Sequence, residues 1–278
     1  MTPAARRLIN WTMSGLTFLA AIAVICPLLL ILAFLVYQGI SAINLDFFTQ
    51  LPKPVGEPGG GVANAIVGSL IMIGLAVGMG LPIGILGGVY LADSRDPRLP
   101  WSVRFLGDVL NGIPSIVVGI FAYTVIVLPM RRFSALAGGF ALGIIMIPIV
   151  LRTTEEMVRL VPNSLREAGL GLGLPRWKVT LRIVLPAARA GIITGVMVAV
   201  ARIAGETAPL LFTALGNRFW HQGLDQPMAA LPLQIYAYAI APYDDWHRQA
   251  WAAALVLIVM VFVASLSARL ATRRVVAR

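Results

Sequence analysis

Long stretches without a charged side chain limit what this sequence can fold into. Six stretches either lack Asp, Glu, Lys and Arg or are interrupted only by Arg202 and Glu206. They are residues 8–45, 58–92, 109–130, 133–151, 190–217 and 249–268. A helix needs about 20 residues to cross the hydrocarbon core of a bilayer. Only 12% of all residues are charged, against about 25% in soluble domains. The sequence therefore predicts an all-α integral membrane fold with six transmembrane helices.

The positions of Lys and Arg orient these helices. The apolar core of the first span, residues 16–37, is longer than the roughly 7–15 residues of a signal peptide, so we interpret it as an uncleaved anchor. Cytoplasmic loops are enriched in Lys and Arg. With both termini cytoplasmic, sixteen of the 22 basic residues fall on that side. They are Arg6, Arg7, Arg95, Arg98, Arg104, Arg152, Arg159, Arg166, Arg176, Lys178, Arg182, Arg189, Arg269, Arg273, Arg274 and Arg278. The net charge of +10 therefore reflects orientation and gives no reason to infer nucleic-acid binding.

One further uncharged stretch, residues 226–243, is interrupted by Pro227, Pro232 and Pro242. If it spanned the membrane, the Arg-rich C-terminus would lie outside, against the distribution of basic residues. We therefore predict a short interfacial or re-entrant helix at about residues 230–240, within a long external loop. Six spans remain.

Glycines in the second and fourth predicted spans recur at spacings that place small residues on one helix face. They are Gly74, Gly78, Gly80, Gly84 and Gly88 in the second span, and Gly139 and Gly143 in the fourth. Such faces allow two helix backbones to approach closely. We expect both spans to pack tightly against neighbouring helices.

The loop between the fourth and fifth predicted spans, residues 152–189, has too much pattern for a simple connector. Residues 155–170 show the apolar spacing of a helix, which Pro162 can break in two. Glycines and a proline predict a turn at 171–175, and residues 176–184 predict a second short helix. Two short helices joined by a tight turn make a compact knob on the cytoplasmic face.

Seven positions of this loop form a spaced motif. They are Glu167, Ala168, Gly169, Gly173, Ile183, Leu185 and Pro186. The motif resembles the EAA loop of ABC importer permeases, in which Glu-Ala-Ala is followed at fixed intervals by Gly and by Ile-x-Leu-Pro. Gly169 departs from that pattern but keeps a small side chain. The resemblance implies that Glu167 faces a groove on a separate ATPase and that Gly173 permits the sharp turn.

Catalytic and metal-binding patterns are missing from the sequence. It contains no Gly-x-x-x-x-Gly-Lys-Ser/Thr phosphate loop and no evident nucleophile–histidine arrangement. We therefore predict a non-catalytic subunit without a cofactor of its own, whose partner ATPase binds ATP and Mg. Glu155 and Glu156 are interpreted as partners of the dipole at a helix start. Asp244, Asp245 and His247 are too loosely spaced to predict a metal site.

The fifth predicted span carries two charges four residues apart. Charges within a membrane are costly and are functional by default. Arg202 and Glu206 share one face of a helix and can pair. One interpretation is an ion pair that holds two helices together. The other is an anion pathway with Thr207, in which Arg202 offers a bidentate fork to a tetrahedral oxyanion and Glu206 holds the guanidinium in place.

Several further segments carry a closer resemblance. They are residues 60–69, 112–117, 152–156, 161–167 and 202–213. They resemble the PstA-type permeases of the bacterial phosphate-specific transport system, from about residue 60 to the C-terminus. The resemblance implies a multi-pass type I ABC importer permease of the bacterial cytoplasmic (inner) membrane that moves inorganic phosphate. It also implies a homologous second permease (PstC-type) with a matching Arg/Glu pair, two copies of an ATPase (PstB-type) and a periplasmic phosphate-binding protein (PstS-type). Membrane lipid is the remaining expected partner of this chain.

The expected organisation has three parts. Residues 1–61 hold a cytoplasmic tail, the first span and an external loop, residues 62–270 form the permease domain, and residues 271–278 form a cytoplasmic tail. A phosphate dianion that enters against an inside-negative potential costs about 2.3 kcal/mol per charge per 100 mV, so an energy source is required.

Alternatives remain open at this point. The same architecture can import sulfate or molybdate, because Arg202 alone does not choose among oxyanions. An ion-coupled secondary transporter would leave the EAA-like knob without a purpose. A membrane-embedded enzyme is disfavoured because the spans contain no evident polar catalytic cluster.

Overall fold

The computed structural model describes residues 2–55, 57, 59–94 and 98–276, and most of these residues are helical. The helices are α1 Pro3–Gly39, α2 Leu45–Thr49, α3 Ala63–Asp93, α4 Arg98–Gly112, α5 Ser115–Ala122, α6 Leu128–Met130, α7 Ala135–Arg159, α8 Asn163–Gly171, α9 Arg176–Val179, α10 Leu185–Ala204, α11 Ala208–Leu211, α12 Leu231–Ala239 and α13 Asp244–Val276. Two π-helical turns, Tyr123–Val127 and Thr180–Val184, join α5 to α6 and α9 to α10. Arg95 and Arg278, two of the basic residues used to predict orientation, lie outside the described residues.

Five segments are long and apolar enough to cross a membrane alone. They are Pro3–Ala42, Ala63–Asp93, Ala135–Arg159, Arg176–Ala204 and Asp244–Leu270. The third predicted span is different, because Arg98–Gly112 and Ser115–Met130 meet at an angle of 102°. The expectation of one helix over residues 109–130 is therefore wrong. Pro114 disfavours helical geometry at the preceding residue, and the chain turns sharply there.

The packing of α3 on α7 shows that the bent pair completes a sixth crossing. A Cβ on Gly80 would lie 3.3 Å from the Gly143 carbonyl oxygen, and a Cβ on Gly88 would lie 2.6 Å from the Leu151 carbonyl oxygen. The contacts advance in the same direction along both helices, so α3 and α7 are parallel. The chain between them must return across the whole length of the bundle, and α4 to α6 make that return.

The beginning of α1 and the end of α13 lie at the same end of the bundle. The last residue of α1, Gly39, approaches Trp251 near the start of α13, and a Cβ on Gly39 would lie 2.9 Å from the Trp251 carbonyl oxygen. Phe34 packs edge-on against the Trp251 ring at 5.3 Å. Because the C-terminal end of α1 meets the N-terminal part of α13, the opposite ends of the two helices lie together on the other side of the bundle. This arrangement agrees with the predicted orientation of the two termini.

The first span contributes little to the buried core. Only Leu35 and Gly39 of the 37 residues of α1 are buried. The main core is formed instead by α3, α7 and α10 with the shorter helices around them, and it includes Met72, Leu142 and Ile203.

The proline-interrupted segment forms the short helix that the sequence predicts. α12 covers Leu231–Ala239, close to the predicted residues 230–240. The Leu231 amide donates to the Ser69 hydroxyl at 2.8 Å, which fixes the start of α12 against α3. The segment therefore folds back onto the bundle and does not form a seventh crossing.

The glycine pattern of α3 serves two different surfaces. Gly80, Gly84 and Gly88 contact α7, whereas a Cβ on Gly74 or Gly78 would meet nothing within 4 Å. The predicted close packing is confirmed for the first group. The second group faces away from this chain.

These two groups give a matched test of the packing. Gly88→Ala is expected to destabilise the protein by about 1–3 kcal/mol, because the added methyl would overlap backbone atoms of α7 that cannot move independently. Gly78→Ala is expected to leave stability unchanged or to raise it by up to about 1 kcal/mol. Thermal unfolding of the purified protein in detergent measures both changes. Equal effects of the two substitutions would contradict the described packing of α3 on α7.

Candidate functional site

The fifth span stops inside the bundle. α10 ends at Ala204, and the chain then turns through Gly205 and Glu206 into the four-residue helix α11, for which Thr207 is the N-cap. The expectation that the span continues as a helix to residue 217 is therefore wrong. Gly205 closes the last turn by donating from its amide to the Arg202 carbonyl oxygen at 3.3 Å. Arg202, Glu206 and Thr207 thus surround a break in the helix.

The break lies at membrane depth. Ile203 lines the same small internal space as Leu142 of α7 and Met72 of α3. Leu142 is about two turns from the start of α7, which places the break about 10 Å from one end of that helix and about 25 Å from the other. Irregular backbone is tolerated at such depth only where protein or water satisfies its polar groups.

The charge pair is looser than the sequence predicts. The Arg202 Nε and Glu206 Oε1 atoms are 3.9 Å apart, which allows an ion pair but is too long for a hydrogen bond. The Arg202 side chain is 55% exposed in this chain, and that of Glu206 is 18% exposed. Arg202 occupies the last turn of α10, where the helix dipole favours a cation. The guanidinium therefore projects from the bundle, and its N–H groups are not committed to Glu206.

The predicted knob exists but is smaller than the loop predicted for it. α7 continues through Arg159, and the segment from Arg176 is continuous with the fifth span. Only residues 160–175 lie between the two spans, and α8 occupies most of them. The chain is bent at Leu160 to Pro162, as the proline predicts, and it turns again after α8. There Gly173 has a positive φ of 78°, which glycine adopts at little cost.

Two parts of the motif meet across that turn. Gly169 is buried, and a Cβ in its place would lie 2.6 Å from Cδ1 of Ile183 and 3.0 Å from Val179. The small residue at this position therefore lets α8 rest on the following helical segment. Glu167 and Ala168, on the other face of α8, are exposed. Leu185 and Pro186 open α10. The motif thus combines a packed inner face with an exposed outer one.

A cluster of charges that sequence reasoning missed lies beside the knob. Glu155 is 2% exposed and accepts from Arg104 Nε at 2.7 Å, while Arg159 Nη2 lies 2.9 Å away. The Arg152 guanidinium is farther, at 3.9 Å. Arg104 also donates to the Leu91 carbonyl oxygen at 3.2 Å. The cluster therefore links α3, α4 and α7.

The prediction that Glu155 and Glu156 lie at a helix start is wrong, because both belong to the last turns of α7. Only Glu156 is exposed, and it pairs with Arg152 at 3.0 Å. The available signal was the spacing of Glu155, three residues after Arg152 and four before Arg159, which places all three on one helix face. The count of basic residues that predicts orientation ignores acidic residues and therefore does not detect this signal.

Glu155→Gln is expected to lower stability by about 1–3 kcal/mol, less than for a fully buried pair because the arginines are partly exposed. The substitution keeps the size of the side chain but leaves several guanidinium groups close together without their carboxylate. Glu156→Gln is the control, with an expected change below about 0.5 kcal/mol since that pair is exposed. Chemical or thermal unfolding in detergent measures both. A Glu155→Gln protein as stable as its control would show that the cluster is not structural.

The external acidic residues do not assemble a metal site. Within the described residues, no group of three or more His, Cys, Asp or Glu side chains is placed to hold a metal ion. Asp245 instead pairs with Arg248, and His247 contacts the Ala241 carbonyl oxygen at 2.6 Å.

Comparison with known proteins gives consistent relatives. Residues 80–277 match the family described as "Binding-protein-dependent transport system inner membrane component". The phosphate transport system permease protein PstA of Pasteurella multocida is 47% identical over 266 residues, which cover 95% of each chain. The PstA of Mycobacterium leprae is 38% identical over 261 residues, covering 92% of this chain and 86% of that protein.

Solved structures share the fold at low sequence identity. A bacterial alginate ABC transporter chain aligns with a TM-score of 0.70 at 15% identity, over 96% of this chain and 95% of that one. A chain of an inward-facing methionine ABC transporter aligns with a TM-score of 0.62 at 18% identity, over 77% of this chain and 94% of that one. At these identities the likeness establishes the architecture only.

Proposed function

This chain belongs to the binding-protein-dependent transport inner-membrane component family, and from that premise we propose that it is the permease subunit of an ATP-driven phosphate importer. It spans the cytoplasmic membrane several times. The observation that carries the choice of substrate is its 47% identity to a phosphate transport permease over 95% of both chains. Similarity of that extent covers the broken span and the knob together.

The geometry of the broken span suits an anion. Arg202 projects a guanidinium from the end of α10, and the Glu206 carboxylate stays near it without a hydrogen bond. A guanidinium can offer two parallel N–H donors to a tetrahedral oxyanion. The nearby carboxylate would weaken binding enough for the anion to leave. We therefore assign Arg202, Glu206 and Thr207 to the substrate pathway.

Energy coupling is assigned to a partner. The exposed outer face of α8, with Glu167 and Ala168, is the surface we propose for a separate ATPase subunit, which would bind ATP and Mg. The apolar side chains of Leu172 and Trp177 are 82% and 60% exposed beside it. An exposed apolar surface of this kind favours contact with another protein. The other proposed partners are a homologous second permease and a periplasmic phosphate-binding protein.

Radiolabelled uptake tests the substrate. Cells that lack this gene would be complemented with the wild-type gene and assayed with phosphate, sulfate and molybdate in parallel. Restoration of phosphate uptake alone supports the proposal. Restoration of another oxyanion instead would overturn the substrate while leaving the architecture in place. Uptake that persists when the partner ATPase is inactivated would indicate an ion-coupled transporter.

A further inference from the structure

Asp93, the last residue of α3, joins three helical segments. One of its carboxylate oxygens accepts from the Arg166 guanidinium of α8. The other accepts from the Thr180 hydroxyl at 2.5 Å, at the π-helical turn between α9 and α10. The Asp93 side chain is 33% exposed and that of Arg166 is 21% exposed. A single carboxylate thus contacts both sides of the knob.

Arg166 has a second acceptor that fixes its direction. Its Nη2 atom donates to the Val158 carbonyl oxygen in α7 at 2.9 Å. With both ends of the guanidinium bonded to the spans, Arg166 defines the inner face of α8. Successive residues of an α-helix are rotated by about 100°, so Glu167 is turned outward. The orientation of the proposed ATPase contact therefore depends on the neighbouring arginine.

The bond to Thr180 lies at the junction between the knob and the fifth span. Thr180 is the first residue of the π-helical turn Thr180–Val184. Such turns are rare and are frequently found at functional sites. The same turn supports α8, since Gly169 lies against Ile183. Asp93 is therefore bonded to the segment through which any movement of the knob would reach α10.

The charges around Asp93 give it a specific role. The cleft beside it is also lined by Arg159, Arg166 and Arg176, and Asp93 is the one acidic side chain among the described lining residues. Loss of its charge would leave the three guanidinium groups without that counter-charge. An uncharged replacement would thus loosen the knob from α3 without changing the size of the side chain.

We propose that Asp93 is a positioning residue for energy coupling, which holds the knob against α3 so that movement of a docked ATPase is transmitted to the spans. This inference rests on the proposed function as an ATP-driven importer. Arg166 and Thr180 are the two groups through which Asp93 acts.

The test uses the full complex of both permeases, the ATPase and the phosphate-binding protein, reconstituted in liposomes. The measured quantity is phosphate imported per ATP hydrolysed. Asp93→Asn is expected to lower this ratio by about tenfold while ATP hydrolysis continues. Thr180→Val, which removes only the hydroxyl, is expected to lower it by about threefold. Thr180→Ser keeps the hydroxyl and is expected to match wild type. Asp108→Asn, at an exposed carboxylate of α4, controls for loss of one negative charge.

Two results would overturn the positioning role. One is an Asp93→Asn complex with a wild-type ratio. The other is a parallel loss of transport and hydrolysis at an unchanged ratio, which indicates only a structural contribution. A wild-type complex that imports no phosphate in response to ATP would instead refute the proposed function, so the two failures are distinguishable.

Discussion

Arg202→Ala is expected to lower phosphate uptake by about 100-fold or more, in a complex that still assembles. Two charge-assisted hydrogen bonds to a dianion contribute about 1.5–3 kcal/mol each, and alanine removes both. Folding should be little affected, because the Arg202 side chain is 55% exposed and its Nε atom lies 3.9 Å from Oε1 of Glu206. Labelled phosphate uptake, with quantification of the assembled complex in the same membranes, measures the effect.

Two further substitutions refine this prediction, one at Arg202 and one at a comparable exposed arginine. Arg202→Lys keeps the charge but not the planar fork, so an intermediate loss of about tenfold is expected. Arg248→Ala is the control, because Arg248 is 59% exposed and also pairs with a carboxylate on its own helix, that of Asp245. Uptake in that variant should equal wild type.

The opposite outcome has a defined meaning. If Arg202→Ala transports phosphate normally, the pair with Glu206 is a structural clamp and the anion path lies elsewhere. A fall in unfolding temperature with normal transport would support that interpretation.

Glu167→Arg is expected to release the ATPase and to reduce ATP-driven uptake by about 100-fold, while the permease itself folds. Glu167 lies on the outer face of α8 and is exposed, so reversing its charge should not disturb the packed inner face at Gly169. Charge reversal at a contact that excludes water costs several kcal/mol. Co-purification of the ATPase with tagged permease measures the release directly.

A Glu-to-Arg substitution on the external side of the protein provides the control for docking. Glu57→Arg changes an exposed carboxylate of the loop between α2 and α3, which we place on the external side, beyond reach of the ATPase. Co-purification should be unchanged in that variant. A Glu167→Arg permease that retains the ATPase and full uptake would place the docking surface on other residues.

The sequence predicts the spans well because membrane crossing depends on apolar length. It also predicts α12 and the turn at Gly173, since proline and glycine act locally on the backbone. The ends of helices are predicted less well. Charge marks the boundary of an uncharged run, but helical hydrogen bonding continues beyond it, as in α7, which runs through Arg159.

The features that depend on distant contacts could not be predicted. Pro114 marks the position of the bend before α5, but its 102° angle and the end of α10 at Ala204 do not follow from local residue types. Gly119 of α5 makes this visible, because a Cβ there would lie 2.6 Å from Cα of Pro209 in α11. The bond from Arg104 to Glu155 and the bond from Thr180 to Asp93 are likewise invisible in sequence, because the partners lie 51 and 87 positions apart.

The shallow attachment of α1 bears on how such chains diversify. α1 touches the bundle at one end, buries only Leu35 and Gly39, and precedes the family match, which begins at residue 80. An element attached in this way can be gained, lost or exchanged during evolution without repacking the five crossings that follow. Selection on the sequence of α1 would then act on its lipid-facing or subunit-facing surface. The sequence of α1 should therefore vary faster among related permeases than the sequences of the parallel pair α3 and α7.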